Sequence, residues 1–311
     1  MTLLEVVPEH EWRARAATHR DRVNQLIGPY VERRAAGTKH PVIDFLFTYY
    51  GHKPAQLRRW HPGYGVGLEN AAEYAGSRGY RELPAESSGR PGAETITAGP
   101  DSGPAPRVWA ADPAFLAKRR DTVDFIANLL RATATRPTHL SCFGLHEWAM
   151  VYRTDDVRHH QVPLRLGRTG TDAVVESMPL RCTHFDAYRF FTPDALPRNA
   201  APLTRDDQLT REQPGCLHAN MDLYKWAFKL VPLIDSTLLL DCFELSCTAR
   251  ELDMRASPYD LTDFGYTPVP IETPSGRAEY VRGQAELAEQ AAPLRARLLA
   301  HCTNLLAPVV P

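Results

Sequence analysis

The sequence predicts a mainly α-helical protein with a few short strands, folded as one large helical domain or as two closely packed helical lobes. Several long stretches carry apolar residues at helical spacing. Hydrophobic residues make up 43% of the 311 positions and charged residues 23%, which is typical of a globular protein and not of a disordered one. A chain of this length can bury a sizeable core without disulfide or metal support.

The N-terminal part predicts one long helix followed by short ones. Apolar residues recur at helical spacing over residues 9–36, and Gly37 ends the pattern. Pro41 and Pro54 can each begin a short helix, because proline is favoured in the first turn, and Gly51 can end the first of them.

A stretch rich in Gly, Pro and Ser divides the chain. Residues 87–106 are predicted to form a linker or surface loop, since these residue types favour turns over helices and strands. The sequence therefore predicts an N-terminal segment over residues 1–86 and a mainly helical region over residues 107–311.

The region after the linker predicts five further helices and one irregular stretch. The helices are expected at 112–135, 138–152, 220–230, 236–255 and 275–305, with Asp112, Ser236 and Ser275 as N-caps. Residues 155–200 look irregular or extended, because apolar and polar residues alternate there in the manner of strands.

Composition excludes several classes of protein. The 36 Lys and Arg residues against 37 Asp and Glu leave a net charge of −1, so the basic excess of many nucleic-acid binders is missing. The sequence has no run of 18 apolar residues and opens without the pattern of a signal peptide, so a cytoplasmic protein without membrane contact is expected. The six Cys show no CxxC spacing and are expected to be reduced thiols.

Two short motifs place metal-ligating and catalytic residue types close together. CTHFD and CLHANMD repeat one spacing of Cys, His and carboxylate, and in an extended chain such residues share a face. The candidate metal ligands are His184, Asp186, His218 and Asp222 with His146, and Zn or Fe suits this set. The candidate catalytic residues are Asp186, His184, His218, Asp222 and Glu147. Hydrogen-bonded structural His and core Cys are an equally open reading.

The segment LRRWHPGYGVG suggests a site for a phosphate and a base. Arg58 and Arg59 can pair a phosphate, and Trp60, His61 and Tyr64 offer rings for stacking. PGYGVG weakly resembles the Gly-rich hairpin of helix-hairpin-helix DNA-binding elements.

A third polar group lies on the helix predicted over residues 236–255. Asp241 and Glu244 share a face at i,i+3, as do Arg250 and Asp253. A solvated helix face closed by an ion pair is the preferred interpretation, ahead of a catalytic role.

Several segments together resemble an actinobacterial family commonly labelled 3-methyladenine DNA glycosylase. They are HPVIDFLFTYYGHKPAQLRRWHPG, CFGLHEWAMVYR, CTHFDAYRFFTPDALPRN, EQPGCLHANMDLYKWAFKL and ELDMRASPYDL, and they extend from about Pro41 to the last helix. The resemblance implies a DNA-repair hydrolase of N-glycosyl bonds with DNA or a nucleobase-containing small molecule as partner. It brings no catalytic residue with it.

Two enzymatic hypotheses follow. In the first, an N-glycosidic hydrolase acts on a modified or alkylated purine, with Asp186 or Asp222 as the carboxylate and His184 or His218 assisting. Its candidate stacking residues are Trp60, Tyr64, Tyr188, Phe190, Tyr224 and Trp226. In the second, a zinc or non-haem iron enzyme uses the His/Asp cluster on a small molecule. A helical binding protein without chemistry is the third reading.

Overall fold

The computed structural model describes residues 4–83, 106–157 and 161–308, and it confirms a mainly α fold with a few short strands. The helices are α1 (Glu9–Ala35), α2 (Asp44–Tyr49), α3 (Pro54–Arg58), α4 (Pro113–Ala134), α5 (Leu145–Ala149), α6 (Gly167–Ser177), α7 (Phe185–Tyr188), α8 (Gln208–Arg211), α9 (Leu217–Leu230), α10 (Ser236–Arg255) and α11 (Pro274–Leu306). The strands are β1 (Glu5–Val7), β2 (Val66–Glu69), β3 (Tyr80–Leu83) and β4 (Val108–Ala111). In these residues, no helix has the length and apolarity that crossing a bilayer requires.

The central helices α9 and α10 pack against each other. Helix α11 packs against both of them and also against α4. The N-cap of α10 is Asp235, one residue before the predicted Ser236, because the Asp235 carboxylate accepts the Leu238 N–H at 2.9 Å. The Ser236 hydroxyl instead accepts the backbone N–H of His61 at 2.8 Å. The start of α11 shifts similarly, with Thr273 as its cap in place of Ser275.

One hydrophobic core is shared by both ends of the chain. Ile27 of α1 and Leu46 of α2 belong to the same buried cluster as Phe243 of α10 and Leu298 of α11. The stacked rings of Tyr30 and Phe47, 4.0 Å between centroids, bring the N-terminal helices onto this cluster. Residues 87–105 of the predicted linker lie outside the described part of the chain.

A small sheet lies outside the predicted strand region. Its order is β1-β2-β4-β3, with β1 parallel to β2 and the other pairs antiparallel. A second core cluster lies beside the sheet and includes Trp12, whose indole N–H donates to the Glu69 carbonyl at 2.8 Å. In the stretch 155–200, predicted as irregular or extended, α6 and α7 are helices, which corrects the prediction at these two places.

The Gly-rich segment after α3 joins the sheet to the helical core. Gly63 has φ of 96°, and a Cβ there would lie 3.2 Å from the Asp235 nitrogen, so only glycine fits without strain. Gly65 also has positive φ, and the chain then enters β2. A helix-hairpin-helix element needs a second helix at that point, so the resemblance of PGYGVG to such a hairpin is wrong.

His61 is buried beside this segment. Its ring Nδ1 lies 2.9 Å from the Tyr80 hydroxyl, and its side chain is 6% exposed. Burial, helped by the neighbouring Arg59, lowers the pKa of His61 to about 3. The imidazole is therefore neutral in the folded protein at pH 5, whereas an unfolded chain takes up a proton below about 6.5.

This difference predicts a loss of stability in mild acid. Since the unfolded state binds the extra proton, the His61 contribution falls as pH drops from about 6.5 towards 3, by about 2 kcal/mol at pH 5. We expect His61→Gln to remove that part of the pH dependence when urea unfolding is compared at pH 7 and pH 5. His10→Gln, on the exposed surface of α1, is the control. Equal pH dependence in both variants would contradict the assignment.

Candidate functional site

A buried polar cluster lies where α5, α7, α9 and α10 meet. Its members are His146 and Glu147 of α5, His184 and Asp186 at the start of α7, His218 and Asp222 of α9, and Arg250 and Asp253 of α10. His218 and Asp222 are four residues apart on one helix face, and Arg250 and Asp253 are three apart. Helical spacing, and not the extended spacing expected from CLHANMD, therefore places the two groups of each of these pairs side by side.

Arg250 lies at the centre of a buried ion-pair network. Its guanidinium donates to Glu147 at 2.8 Å and to Asp253 at 2.7 Å, and its side chain is 1% exposed. Asp253 also contacts His146 Nε2 at 2.6 Å. The expectation of a solvated face for Arg250 and Asp253 is therefore wrong. Burial opposes charge on both members of the His146–Asp253 pair, yet their attraction raises the pKa of His146 and lowers that of Asp253.

His218 lies between neighbouring imidazoles and makes no hydrogen bond within the described residues. Its ring centroid is 4.4 Å from that of His146, edge to face, and 5.4 Å from that of His184. Burial and the neighbouring His146 hold the pKa of His218 well below its usual value. A neutral imidazole with free nitrogens can ligate a metal or accept a proton.

A second ion-pair network contains Asp186 and Asp222, the two aspartates predicted as site residues. Lys225 Nζ lies 2.7 Å from Asp186 and 2.8 Å from Asp222, and the Tyr50 hydroxyl donates to Asp222 at 3.0 Å. Burial opposes ionisation of both aspartates, but Lys225 lowers their pKa values. Asp186 and Asp222 are thus ion-paired carboxylates. The group of possible ligands found with His146 and His218 contains Asp253 in their place.

Three Cys–His pairs line a small inner cavity on one side of His218. The pairs are Cys142 with His146, Cys182 with His184, and Cys216 with His218. The cavity offers about 20 Å³ to the centre of a water molecule, which is room for one or two waters. Burial raises the pKa of the Cys182 and Cys216 thiols, so both are neutral.

Several buried polar atoms at this cavity have no hydrogen-bond partner among the described residues. They are the Tyr280 hydroxyl, the Gln284 Oε1 and both ring nitrogens of His184. His184 Nε2 is 3.4 Å from Glu212 and from Asp222, which is ion-pair range without hydrogen-bond alignment. Buried polar groups are normally satisfied, so this cavity suits a polar occupant such as water or an ion.

An aromatic pocket lies on the other side of His218. Phe45, Tyr49, Tyr50 and Phe190 form its walls, and Glu147, Asp186, Arg250 and His218 supply its polar groups. It offers about 30 Å³ to water centres, against 270 Å³ in the cleft next to it. The cleft shares Tyr49, Tyr50 and Asp186 with the pocket and adds Arg189, Arg205, Lys225, Trp226 and Lys229.

The remaining predicted substrate residues lie elsewhere. Arg58, Arg59 and Trp60 line a separate cleft of 270 Å³ between α1 and α3, which shares no lining residue with the aromatic pocket. His61 and Tyr188 are buried, Tyr64 packs partly buried against the main core, and Tyr224 is buried with its hydroxyl 2.5 Å from His52. Trp226 is largely buried at the edge of the basic cleft.

Searches against protein-family models, curated proteins and solved structures found no match.

The central ion pair predicts a large stability effect. Arg250→Met should lower the free energy of unfolding by about 3–5 kcal/mol, because it leaves Glu147 and Asp253 buried without their cation. Arg22→Met is the matched control, since Arg22 also pairs two carboxylates but is 38% exposed, and it should cost about 1 kcal/mol or less. Chemical denaturation measures both, and similar values would contradict the prediction.

Proposed function

We propose that the chain is a metal-dependent enzyme whose metal ion is held by His146, His218 and Asp253. One observation carries the proposal: the three residues each offer a ligand atom, and these atoms lie within 4.8 Å of one another. Two imidazoles and one carboxylate are a ligand set of zinc enzymes and of non-haem iron enzymes, and they leave coordination positions for substrate or water.

The surroundings of these residues support the proposal. Arg250 and Glu147 hold Asp253 in place, and the Cys142 thiol lies 3.5 Å from His146 Nδ1. Ligands of catalytic metals are commonly oriented by such outer hydrogen bonds. In the described residues, His218 is the one of the three whose ring nitrogens make no hydrogen bond, so they remain available to an ion.

The chemistry would take place in the aromatic pocket, where His218 and Glu147 both reach the lining. A bound ion supplies a Lewis acid and an activated water or oxygen ligand. The aromatic walls exclude bulk water, and Glu147, held by Arg250, is placed to orient a polar group of the substrate. This proposal agrees with the hypothesis of a metal enzyme acting on a small molecule, but its ligand set differs. Asp253 takes the place of His184, Asp186 and Asp222 beside His146 and His218.

Metal content tests this proposal directly. Protein purified without a His-tag should contain about one equivalent of Zn, Fe or Mn, and His218→Ala should lower it to about a tenth or less. His218→Ala removes no hydrogen bond, so its fold should survive, which circular dichroism checks. His301→Gln is the control, because His301 pairs with Asp235 on the surface. Wild-type protein with less than about 0.1 equivalent of metal would end the proposal.

N-glycosidic hydrolysis is a second candidate, favoured by the aromatic pocket beside a basic cleft. Aromatic rings can stack on a purine base, and guanidinium groups can bind the phosphate of the nucleotide that carries the base. Two features weigh against it. A pocket with about 30 Å³ for water centres accepts two or three waters, so a purine needs side-chain movement to enter. Lys225 also compensates Asp186 and Asp222, which weakens either carboxylate as the stabiliser of a cationic transition state.

Base release tests the second candidate. If it is correct, the protein frees alkylated purine from methylated DNA or from the nucleoside, and Asp186→Asn slows release about 100-fold or more, as expected for a group acting on the transition state. Arg189→Gln, which removes a surface partner of Asp186, is the comparison variant. Absence of base release at moderate salt from both substrates would remove this candidate.

A further inference from the structure

The cleft outside the aromatic pocket carries more positive charge than its carboxylates balance. Arg189, Arg205, Lys225 and Lys229 line it, and the carboxylates in contact with them are those of Asp186 and Asp222. Four cations against two anions leave two uncompensated positive charges. Arg205 and Lys229 also line a neighbouring cleft that contains Asp121 and Asp206, but no ion pair joins either cation to these carboxylates in the described residues.

The two uncompensated charges belong to Arg205 and Lys229. Lys225 lies between the two aspartates, and Arg189 Nε is 3.2 Å from Asp186. By contrast, neither Arg205 nor Lys229 has a carboxylate within ion-pair distance in the described residues.

Aromatic rings hold both unpaired cations at the cleft. The Arg205 guanidinium lies 5.6 Å from the centroid of Phe185, and Lys229 Nζ lies 5.2 Å from that of Trp226. Burial and the neighbouring cations Lys225 and Arg119 lower the pKa of Lys229, as expected where positive charge is not neutralised.

We infer that this cleft binds a phosphate group, and that the substrate of the metal centre is an organic phosphate. A phosphate monoester carries a charge of about −1.5 to −2 at neutral pH, which matches the two free cations. Guanidinium and ammonium groups together are a common phosphate-binding set. The choice of substrate rests on the proposed function, whereas binding of the phosphate needs no metal.

The sizes of the two spaces set which part of the substrate enters. The cleft offers 270 Å³ to water centres, enough for a phosphate and part of its organic group. The aromatic pocket offers about 30 Å³, so only a small apolar or flat group can pass Tyr49 and Tyr50 towards His218. The reacting atoms would therefore lie at one end of the molecule and the phosphate at the other.

Calorimetric titration of the full chain with phenyl phosphate tests the inference. Phenyl phosphate should bind at least ten times more tightly than benzoate or phenol. Replacing both free cations, Arg205→Gln with Lys229→Gln, should weaken its binding at least tenfold. Both side chains are exposed, so the fold should be unaffected. Arg282→Gln, an exposed arginine of α11, should bind like wild type.

Three results would overturn the inference: no binding of phenyl phosphate at 10 mM, equal binding by the double variant, or benzoate binding as tightly as the phosphate. Chelator-treated protein and His218→Ala should keep phenyl phosphate binding, which supports a phosphate site independent of the ion. If the protein as purified holds less than about 0.1 equivalent of metal yet binds phenyl phosphate through Arg205 and Lys229, the metal proposal is refuted and the phosphate site stands.

Discussion

The buried guanidinium of Arg250 is the constraint on which the site depends. A charge that is 1% exposed is tolerated only with close counter-charges, and Glu147 and Asp253 supply them at 2.8 and 2.7 Å. Glu147 comes from α5, which lies far from α10 along the chain, so this pairing locks the two helices in one relative position. The His146–Asp253 contact then follows, because His146 is the neighbour of Glu147. The arrangement of the candidate metal ligands is thus set by an ion pair, in a region where apolar packing alone would permit sliding.

His218 divides the interior into two chemically different spaces. On one side are thiols, imidazoles and unsatisfied polar atoms around a volume of one or two waters. On the other side are aromatic rings that lead to a basic cleft. A ring nitrogen of His218 can bind an ion while another edge of the same ring lines the aromatic pocket. This placement leaves the partly exposed imidazole of His218 accessible from both spaces.

Long periodic helices were predictable from the sequence, whereas the site was predictable only in part. Helices α1, α4 and α10 have strong apolar periodicity and lie within two residues of their predicted bounds. Helix α5 is much shorter than expected, and α6 forms in a stretch that was predicted to be irregular or extended. His146 and His218 were among the predicted ligands. Asp253 was not, because its contact with His146 spans 107 residues and no local pattern encodes such a pairing. A signal existed nonetheless: Arg250 and Asp253 continue at helical spacing the face of Leu239, Phe243 and Ser246, where opposite charges at i,i+3 can be buried as a pair.

The balanced composition of the chain conceals a strong local separation of charge. A net charge of −1 counts against a protein that binds nucleic acid over a broad surface. The net charge does not exclude a cleft in which two cations lack partners, because negative charges elsewhere on the chain cancel these cations in the total. Arg165 with Glu272 is a neutral pair, and Arg22 and Arg297 together offset Asp241 and Glu244. The unpaired Arg205 and Lys229 therefore add positive potential at the mouth of the pocket, and low ionic strength should favour entry of an anion there more than total charge suggests.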